Sequence, residues 1–304
     1  MIPFSRQKIP TKCTKCGRIK LARRDYLKGL SHPYWCSHCS FRPRFKPRYG
    51  WKPETFEDRI KLSKAHRKYN LDEPFFERID TEEKAYWLGF FAGDGFITDR
   101  NKIRICLSIK DKKHLKKFKK AVKWTGKDYF PKRQDALEVN FRSFEMVADL
   151  ARYSIIQNKT FTLKFPDIPK SLERHFIRGV FDADGGINRA TRITRGKSGQ
   201  IYVFYGGEFN IEGNREFILA TQSRFIELGL PRTSINYSGK NINRIRYGGI
   251  NQLRIIYKYL YEDATVFLER KKKLFEDILK NYHCEIIKPP SKELKLLKTL
   301  EMIK

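Results

Sequence analysis

The chain has 304 residues, 40% of them apolar, which is enough for a real core and long enough for about two domains. Lys and Arg number 64 against 34 Asp and Glu, a formal net charge of +30. Self-repulsion of that size destabilises a compact state unless something offsets it, so the expected partner is a polyanion. No apolar run approaches the length of a membrane span and no amphipathic anchor stands out. The opening MIPFSRQKIP has no signal-peptide core, so the expectation is a soluble, intracellular protein with no membrane partner.

Residues 1–50 read as a small metal-stapled module. Cys13 and Cys16 form one C-x-x-C and Cys36 and Cys39 another, with nineteen residues between the pairs. Two such turns supply four thiolates to one tetrahedral Zn²⁺. A disulfide framework is the alternative, but it suits secreted domains, and no export signal accompanies it. His38 could replace one ligand, and Cys106 and Cys284, which have no partner pattern, read as ordinary buried or half-buried residues. The segment carries thirteen Lys or Arg against one acid, Asp25, which points to a zinc-ribbon-like clamp on nucleic acid. Its apolar residues are Ile19, Leu21, Tyr26, Leu27, Leu30, Tyr34 and Trp35, a core too small to fold without metal.

Residues 51–74 read as a basic linker and helix. The preceding stretch FRPRFKPRYGWKP, residues 41–53, interleaves bases and aromatics with Pro and Gly. It suits an extended path along a phosphate backbone or minor groove, through Arg42, Arg44, Lys46 and Arg48. PETFEDRIKLSKAHRKYN follows, with acids first and bases last, the charge order a helix dipole favours. Phe56, Ile60 and Ser63 fall on one face. A solvated connecting helix is the alternative to a short helical DNA-binding module.

Two apolar segments then end in Asp-Gly: YWLGFFAGDG and, ninety residues later, FIRGVFDADG. In the first, Gly89 and Gly93 lie four apart on one helix face; in the second, Gly179 and Ala183 do. Small residues at that spacing let two helix backbones approach closely. The bulky residues Trp87, Leu88, Phe90 and Phe91, and Ile177, Val180 and Phe181, are left for each half's own core. Packed face to face, the helices bring Asp94 and Asp184 together at one end of a seam. Carboxylates are poorly placed at helix C-termini, and two together are worse, unless cations neutralise them. Oxygen-loving divalent ions such as Mg²⁺ are the candidates, and such a pair fits phosphoryl chemistry.

WLGFFAGDG and IRGVFDADG resemble the LAGLIDADG motif of homing endonucleases, here in two copies, and the likeness spans roughly residues 75–280. It implies an α+β fold of two αββαββα halves about a pseudo-twofold axis, with saddle-shaped antiparallel sheets over DNA. The halves would be residues 75–168 and 169–284, with a tail over 285–304. It also implies Asp94 and Asp184 as catalytic metal ligands, with the Gly93 and Ala183 carbonyls as candidate further donors. The sixth motif position is Ala92 in one copy and Asp182 in the other, so Asp182 is not expected to bind metal. Lys159 and Lys271 are the choices for stabilising charge on phosphate, and Asp111 for orienting water.

The rest of the chain supports two halves. KIRICLSIK, residues 102–110, alternates Ile103, Ile105, Leu107 and Ile109 against Arg104, Cys106 and Ser108. KDKKHLKKFKKAVKW reads as a helix with Leu115, Phe118 and Val122 inside, ALEVNFRS as a strand, and SFEMVADLARYSI as a helix. IYVFYGGEFNIEG, NREFILATQSRFIELGL, RIRYGG and INQLRIIYKYLY echo these as strands, helix, strand and helix. NRATRITRGKSGQ, residues 188–200, is a basic insertion, expected as a strand-linking loop that carries Arg189, Arg192, Arg195 and Lys197 along DNA. Arg104, Arg142, Arg244 and Arg246 are expected on the sheet faces that read the major groove, where base pairs are distinguishable.

The reading is a monomeric, two-motif homing endonuclease of a mobile element, with a zinc clamp added at its N-terminus. It would cut both strands of a long, asymmetric duplex with Mg²⁺ and leave short 3′ overhangs, as the resemblance implies. A non-cleaving DNA-binding regulator, or a splicing maturase with RNA as partner, is the alternative on the same scaffold. A zinc-ribbon transcription factor in which the paired helices are only a core is a further one.

Overall fold

The computed structural model describes residues 7–14, 17, 19–23, 27–28, 55–98, 100–131, 135–196, 199–239 and 242–287. The chain divides into two compact units, Met1–Pro53 and Glu54–Lys304. In the first, β1 (Lys8–Lys12) pairs antiparallel with β2 (Ile19–Arg23). Cys13 follows β1 directly and is 1% exposed. The Gly17 amide donates back to the Cys13 carbonyl at 2.9 Å, and Gly17 sits at φ +73°, which glycine reaches without a Cβ penalty. Cys16, Cys36, Cys39 and His38 lie outside the described residues, as do Arg42, Arg44, Lys46 and Arg48. Ile19 and Leu21, expected in the module's core, are instead 68% and 64% exposed. They share one side of β2, whereas Ala22, on the opposite side, is buried.

The second unit opens with α1 (Phe56–Ala65), which starts at a capping box between Thr55 and Asp58 and buries none of its residues. Then come α2 (Glu82–Gly93), β3 (Gly95–Ile97), β4 (Lys102–Ser108), α3 (Lys112–Ala121), β5 (Ala136–Arg142) and α4 (Phe144–Arg152). A second series follows: α5 (Lys170–Asp184), β6 (Gly186–Arg195), β7 (Ile201–Gly213), α6 (Arg215–Glu227), β8 (Asn236–Gly239), β9 (Ile242–Tyr247), α7 (Ile250–Tyr261), α8 (Glu269–Lys280) and β10 (His283–Ile287). The class is α+β, with antiparallel sheets and eight α-helices among the described residues. No helix among them is long and apolar enough to cross a membrane.

Three strands form the first sheet, in order β3-β4-β5. In the five-stranded sheet β6 lies along one edge of β7, and the other edge is shared by β9, opposite Phe209 to Gly213, and β10, opposite Ile201 to Tyr205. Alternation decides the faces. Ile103, Ile105 and Leu107 of β4, Leu137, Val139 and Phe141 of β5, Phe209 and Ile211 of β7, and Ile245 and Tyr247 of β9 are buried in the core. Arg104, Arg142, Arg244 and Arg246 therefore all stand on the opposite, open faces.

Three expectations are corrected. β4 stops at Ser108, and Ile109, which opens a 3-10 turn over Ile109–Asp111, is 41% exposed. Residues 188–200 are not a loop for most of their length. β6 runs on to Arg195 and pairs with β7 throughout, so the insertion lengthens a hairpin whose counterpart in the first series is closed where the Asn101 amide donates to the Thr98 carbonyl at 3.1 Å. Arg192 stands on the open face with its guanidinium over the Phe204 ring at 5.7 Å, but Arg189 shares the helix-facing side with Ile187 and pairs with Asp277 of α8 at 2.5 Å. Lys197 lies outside the described residues. Finally, residues 285–287, expected in the tail, belong to β10, because their backbone completes a ladder on β7.

The core is continuous across both series and centres on α2 packed against α5. A Cβ built on Gly89 would lie 2.0 Å from the Phe176 carbonyl oxygen and 3.0 Å from the Val180 nitrogen. One built on Gly179 would lie 2.0 Å from the Tyr86 carbonyl oxygen and 2.7 Å from the Phe90 nitrogen. The contacts are reciprocal and run backbone on backbone, as the small-residue spacing requires. One turn on, a Cβ on Gly93 would stand 2.4 Å from that of Ala183. Gly89→Ala or Gly179→Ala should each cost about 2–3 kcal/mol or more, since neither backbone can yield locally. Gly248→Ala, which would meet nothing nearer than 3.5 Å, should change stability by less than about 0.5 kcal/mol in the same urea titration.

Candidate active site

The seam delivers its two acids to one place. Asp94 is the C-cap of α2 and Asp184 the last residue of α5. The carboxyl carbon of Asp184 would stand 3.3 Å from a Cβ on Gly93, so this side chain lies against the end of the opposite helix. The chain then turns straight into β3 and β6. Lys159, from the 3-10 turn Lys159–Phe161, donates through Nζ to the Gly95 carbonyl. Lys271, in the first turn of α8, donates to the Gly185 carbonyl at 2.6 Å, the Phe181 carbonyl at 2.7 Å and the Ala183 carbonyl at 3.4 Å. Each lysine thus holds the carbonyl of the glycine that follows its own aspartate, and Lys271 also collects the carbonyls at the negative end of α5.

These four groups control one another's charge. Burial pushes the Asp94 carboxyl up to about 6; the Asp184 charge adds to the rise, while Lys271, Lys159 and Arg270 oppose it. Asp184 is raised too, first by burial of its carboxyl, although the residue keeps an exposed edge, and then by Glu212; Lys159 and Lys271 pull it down. Burial lowers both ammonium groups, Lys271 to about 8; Asp184 and Asp94 hold Lys159 up, and Asp182, ahead of Asp94 and Asp184, holds Lys271 up. The donors that meet here are carboxylate and carbonyl oxygens, which fits a hard divalent cation such as Mg²⁺. Among the described residues no three His, Cys, Asp or Glu side chains form an all-protein cage, so the remaining ligands would come from water or substrate oxygens.

Asp182 is turned away from this point. Its carboxylate accepts from the Tyr86 hydroxyl at 2.9 Å, the Tyr261 hydroxyl at 3.1 Å and the Leu268 amide at 2.7 Å, deep in the core. Asp111 is buried at the start of α3, where both its oxygens accept from Arg270 Nε at 2.9 and 3.0 Å. It therefore reaches the aspartates through Arg270, the neighbour of Lys271. On the open faces, Arg104 donates to Glu138 at 2.6 and 3.0 Å, Arg244 pairs with Glu212, and Arg246 lies 3.6 Å from Glu208. Arg142 is exposed at the end of β5.

Sequence reasoning missed Arg270, Glu212 and Arg178. Arg178 is fully buried and donates to the Leu260 and Val266 carbonyls at 2.8 and 2.9 Å and to Glu82 at 2.7 Å. An arginine inside the apolar motif IRGVFDADG was the available signal for it.

No family model matches the sequence, and no curated protein matches it. Solved structures similar to the chain are LAGLIDADG homing endonucleases. I-LtrWI bound to target DNA has 12% identity and a TM-score of 0.47, over 66% of this chain and 90% of that one. I-AabMI bound to uncleaved DNA has 14% identity and a TM-score of 0.45, over 64% and 89%. I-SmaMI bound to uncleaveable DNA has 10% identity and a TM-score of 0.47, over 67% and 89%.

The raised Asp94 has a consequence for stability. The folded chain binds this proton more tightly than the unfolded chain, so stability falls as pH rises from about 4 through about 6 and stays lower above that. Without divalent cations, Asp94→Asn should therefore raise the melting temperature at pH 8, by the equivalent of about 2 kcal/mol. The gain should shrink towards zero near pH 4, and Mg²⁺ should raise the Tm of the wild type more than that of the variant. Thermal melts across this range check both.

Proposed function

We propose that the second unit is a Mg²⁺-dependent DNA endonuclease of the LAGLIDADG homing type, with its two series of elements acting as pseudo-twofold halves of one monomer. The observation that carries this reading is the meeting of Asp94, Asp184, Lys159 and Lys271 at the end of the α2–α5 seam. A bound divalent cation supplies charge neutralisation and a more acidic water. Asp94 and Asp184 would hold such ions, with the Gly93 and Ala183 carbonyls as candidate further donors. Lys159 and Lys271, anchored on backbone carbonyls, set positive charge where it would build on the phosphate. Asp111 acts in this scheme by holding Arg270.

Arg104, Arg142, Arg192, Arg244 and Arg246, on the open sheet faces, provide the duplex-binding surface. The acids Glu138, Glu208 and Glu212 hold three of these guanidiniums in fixed positions, which suits readout of base edges in a major groove. The two reading surfaces are unequal. β3 has three residues and β6 ten, roughly 10 Å against roughly 34 Å of strand, so the target is asymmetric. Residues 1–50 add a basic clamp whose single structural Zn²⁺ is held by Cys13, Cys16, Cys36 and Cys39. Encoding within a mobile element such as an intron follows from the same reading.

Asp94→Asn and Asp184→Asn should each abolish double-strand cleavage in Mg²⁺ and change duplex affinity by less than about threefold. Cleavage at the wild-type rate by either variant would show that the acids are not the metal ligands. Affinity should fall steeply with salt, by about 0.9 in the log–log slope for each phosphate neutralised. Removing Zn²⁺ with a chelator, or substituting Cys13→Ser with Cys36→Ser, should make that slope shallower while cutting persists at high protein concentration. A zinc-free preparation with an unchanged slope would show that the clamp does not touch DNA.

A further inference from the structure

The reciprocity of the two halves breaks beside the two aspartates. Gly89 answers Gly179, Asp94 answers Asp184, and Lys159 on Gly95 answers Lys271 on Gly185. The adjoining strands set what stands across from each aspartate. Gly95 pairs with Ile105 between β3 and β4, so one step back Asp94 falls opposite Cys106. Gly186 pairs with Asn210 between β6 and β7, so two steps back Asp184 falls opposite Glu212. Both partners sit on the open faces, since Ile105 and Leu107 flank Cys106 in the core-facing register and Ile211 precedes Glu212.

We propose that the active site is chemically unequal, with Glu212 completing the Asp184 side and Cys106 leaving the Asp94 side one carboxylate short, so that the Asp184 side binds its cation more tightly and cuts its strand first. This rests on the nuclease reading. Among the described residues no other acid fills the gap on the Asp94 side. Glu138, across β5 from Cys106, is buried, and its carboxylate is taken up by Arg104 and by Asn140 at 2.5 Å. Glu212 by contrast keeps its side chain 29% exposed while Arg244 pairs with its Oε1 and sets its direction. In each cut, the hydroxyl of a water bonds to phosphorus as the bond to the 3′ oxygen breaks, and the water's other proton reaches that oxygen through solvent. Glu212 orients the water and adds charge that retains the cation; Cys106, a neutral thiol, supplies neither. Glu212 is thus a positioning residue for one of two otherwise matched sites.

Two measurements on the full-length protein test this. In the first, Mn²⁺ alone is titrated without DNA and followed by electron paramagnetic resonance. Two unequal sites are expected. Glu212→Gln should weaken the tighter one by about 10- to 100-fold, the range for an outer partner of a metal ligand. Glu212→Asp should restore part of the loss, and Cys106→Glu should strengthen the weaker site. In the second, a duplex recovered from a randomised library by wild-type cleavage carries a different dye on each strand. One strand should be cut first, and Glu212→Gln should slow that strand selectively, by a similar factor. Equal Mn²⁺ sites, or Mn²⁺ binding unmoved by Glu212→Gln, would overturn the inequality, and so would equal strand rates on a duplex that is cut. Failure of the wild type to cut any duplex would overturn the nuclease reading instead, and the strand order with it.

Discussion

Everything at the candidate active site depends on two helix backbones being able to touch. At Gly89 and Gly179 the space for even a methyl group is occupied by the opposing carbonyl oxygen. The small residues therefore face the seam, and Trp87, Phe90, Phe91, Ile177 and Phe181 are turned into the core on either side. An ordinary helix pair separated by side chains would hold its axes 8–10 Å apart, and its two C-terminal carboxylates would not meet against each other's helix ends. The contact has an electrostatic consequence: it forces two acids to share a site at the negative ends of two helices. Lys159 and Lys271 meet part of that repulsion, and a divalent cation would meet the rest.

The lysines are delivered by different routes. On one side, Asp182 accepts from the Leu268 amide and Arg178 holds the carbonyls of Leu260 and Val266. Both residues lie in the motif helix α5, so that helix itself pins the segment leading into α8 and thereby places Lys271. Buried charges of this kind are expensive unless fully bonded, and here Glu82, two tyrosine hydroxyls and backbone groups complete them. On the other side the sixth motif position is Ala92, which can make no such bond. Lys159 arrives instead on a 3-10 turn that follows Asn158 at φ +60°, with Asn214 donating to the nearby Leu163 carbonyl at 2.7 Å. The two series of elements reach a similar central geometry by unlike scaffolding, and their hairpins diverge in the same way.

How much of this was legible in the sequence depended on the range of the interaction involved. The four-residue spacing of small residues and the Asp-Gly ends are local, so α2, α5 and the convergence of Asp94 with Asp184 could be read directly. So could the faces of β4 and β5, whose alternation is regular. The basic stretch at 188–200 looks like a loop because its apolar residues are sparse, yet it is strand because β7 offers it a ladder partner. Residues 285–287 join the sheet for the same reason. Glu212 lies opposite Asp184 through a hairpin register that no local pattern states, and Arg270 is recognisable only once Asp111 is seen against it. In the first unit, Ile19 and Leu21 point outward because strand parity puts them on the exposed side.

The central claim is that Asp94 and Asp184 hold divalent cations side by side at the end of the glycine seam. Fe²⁺ in place of Mg²⁺, with ascorbate and peroxide, generates radicals that cut the backbone beside the bound ion, and mass spectrometry maps the cuts. The account predicts two clusters in the same molecule, around residues 93–95 and 183–185, both suppressed by excess Mg²⁺, the first weakened in Asp94→Asn and the second in Asp184→Asn. Cuts confined to one of these segments, or placed elsewhere in the second unit, would contradict it.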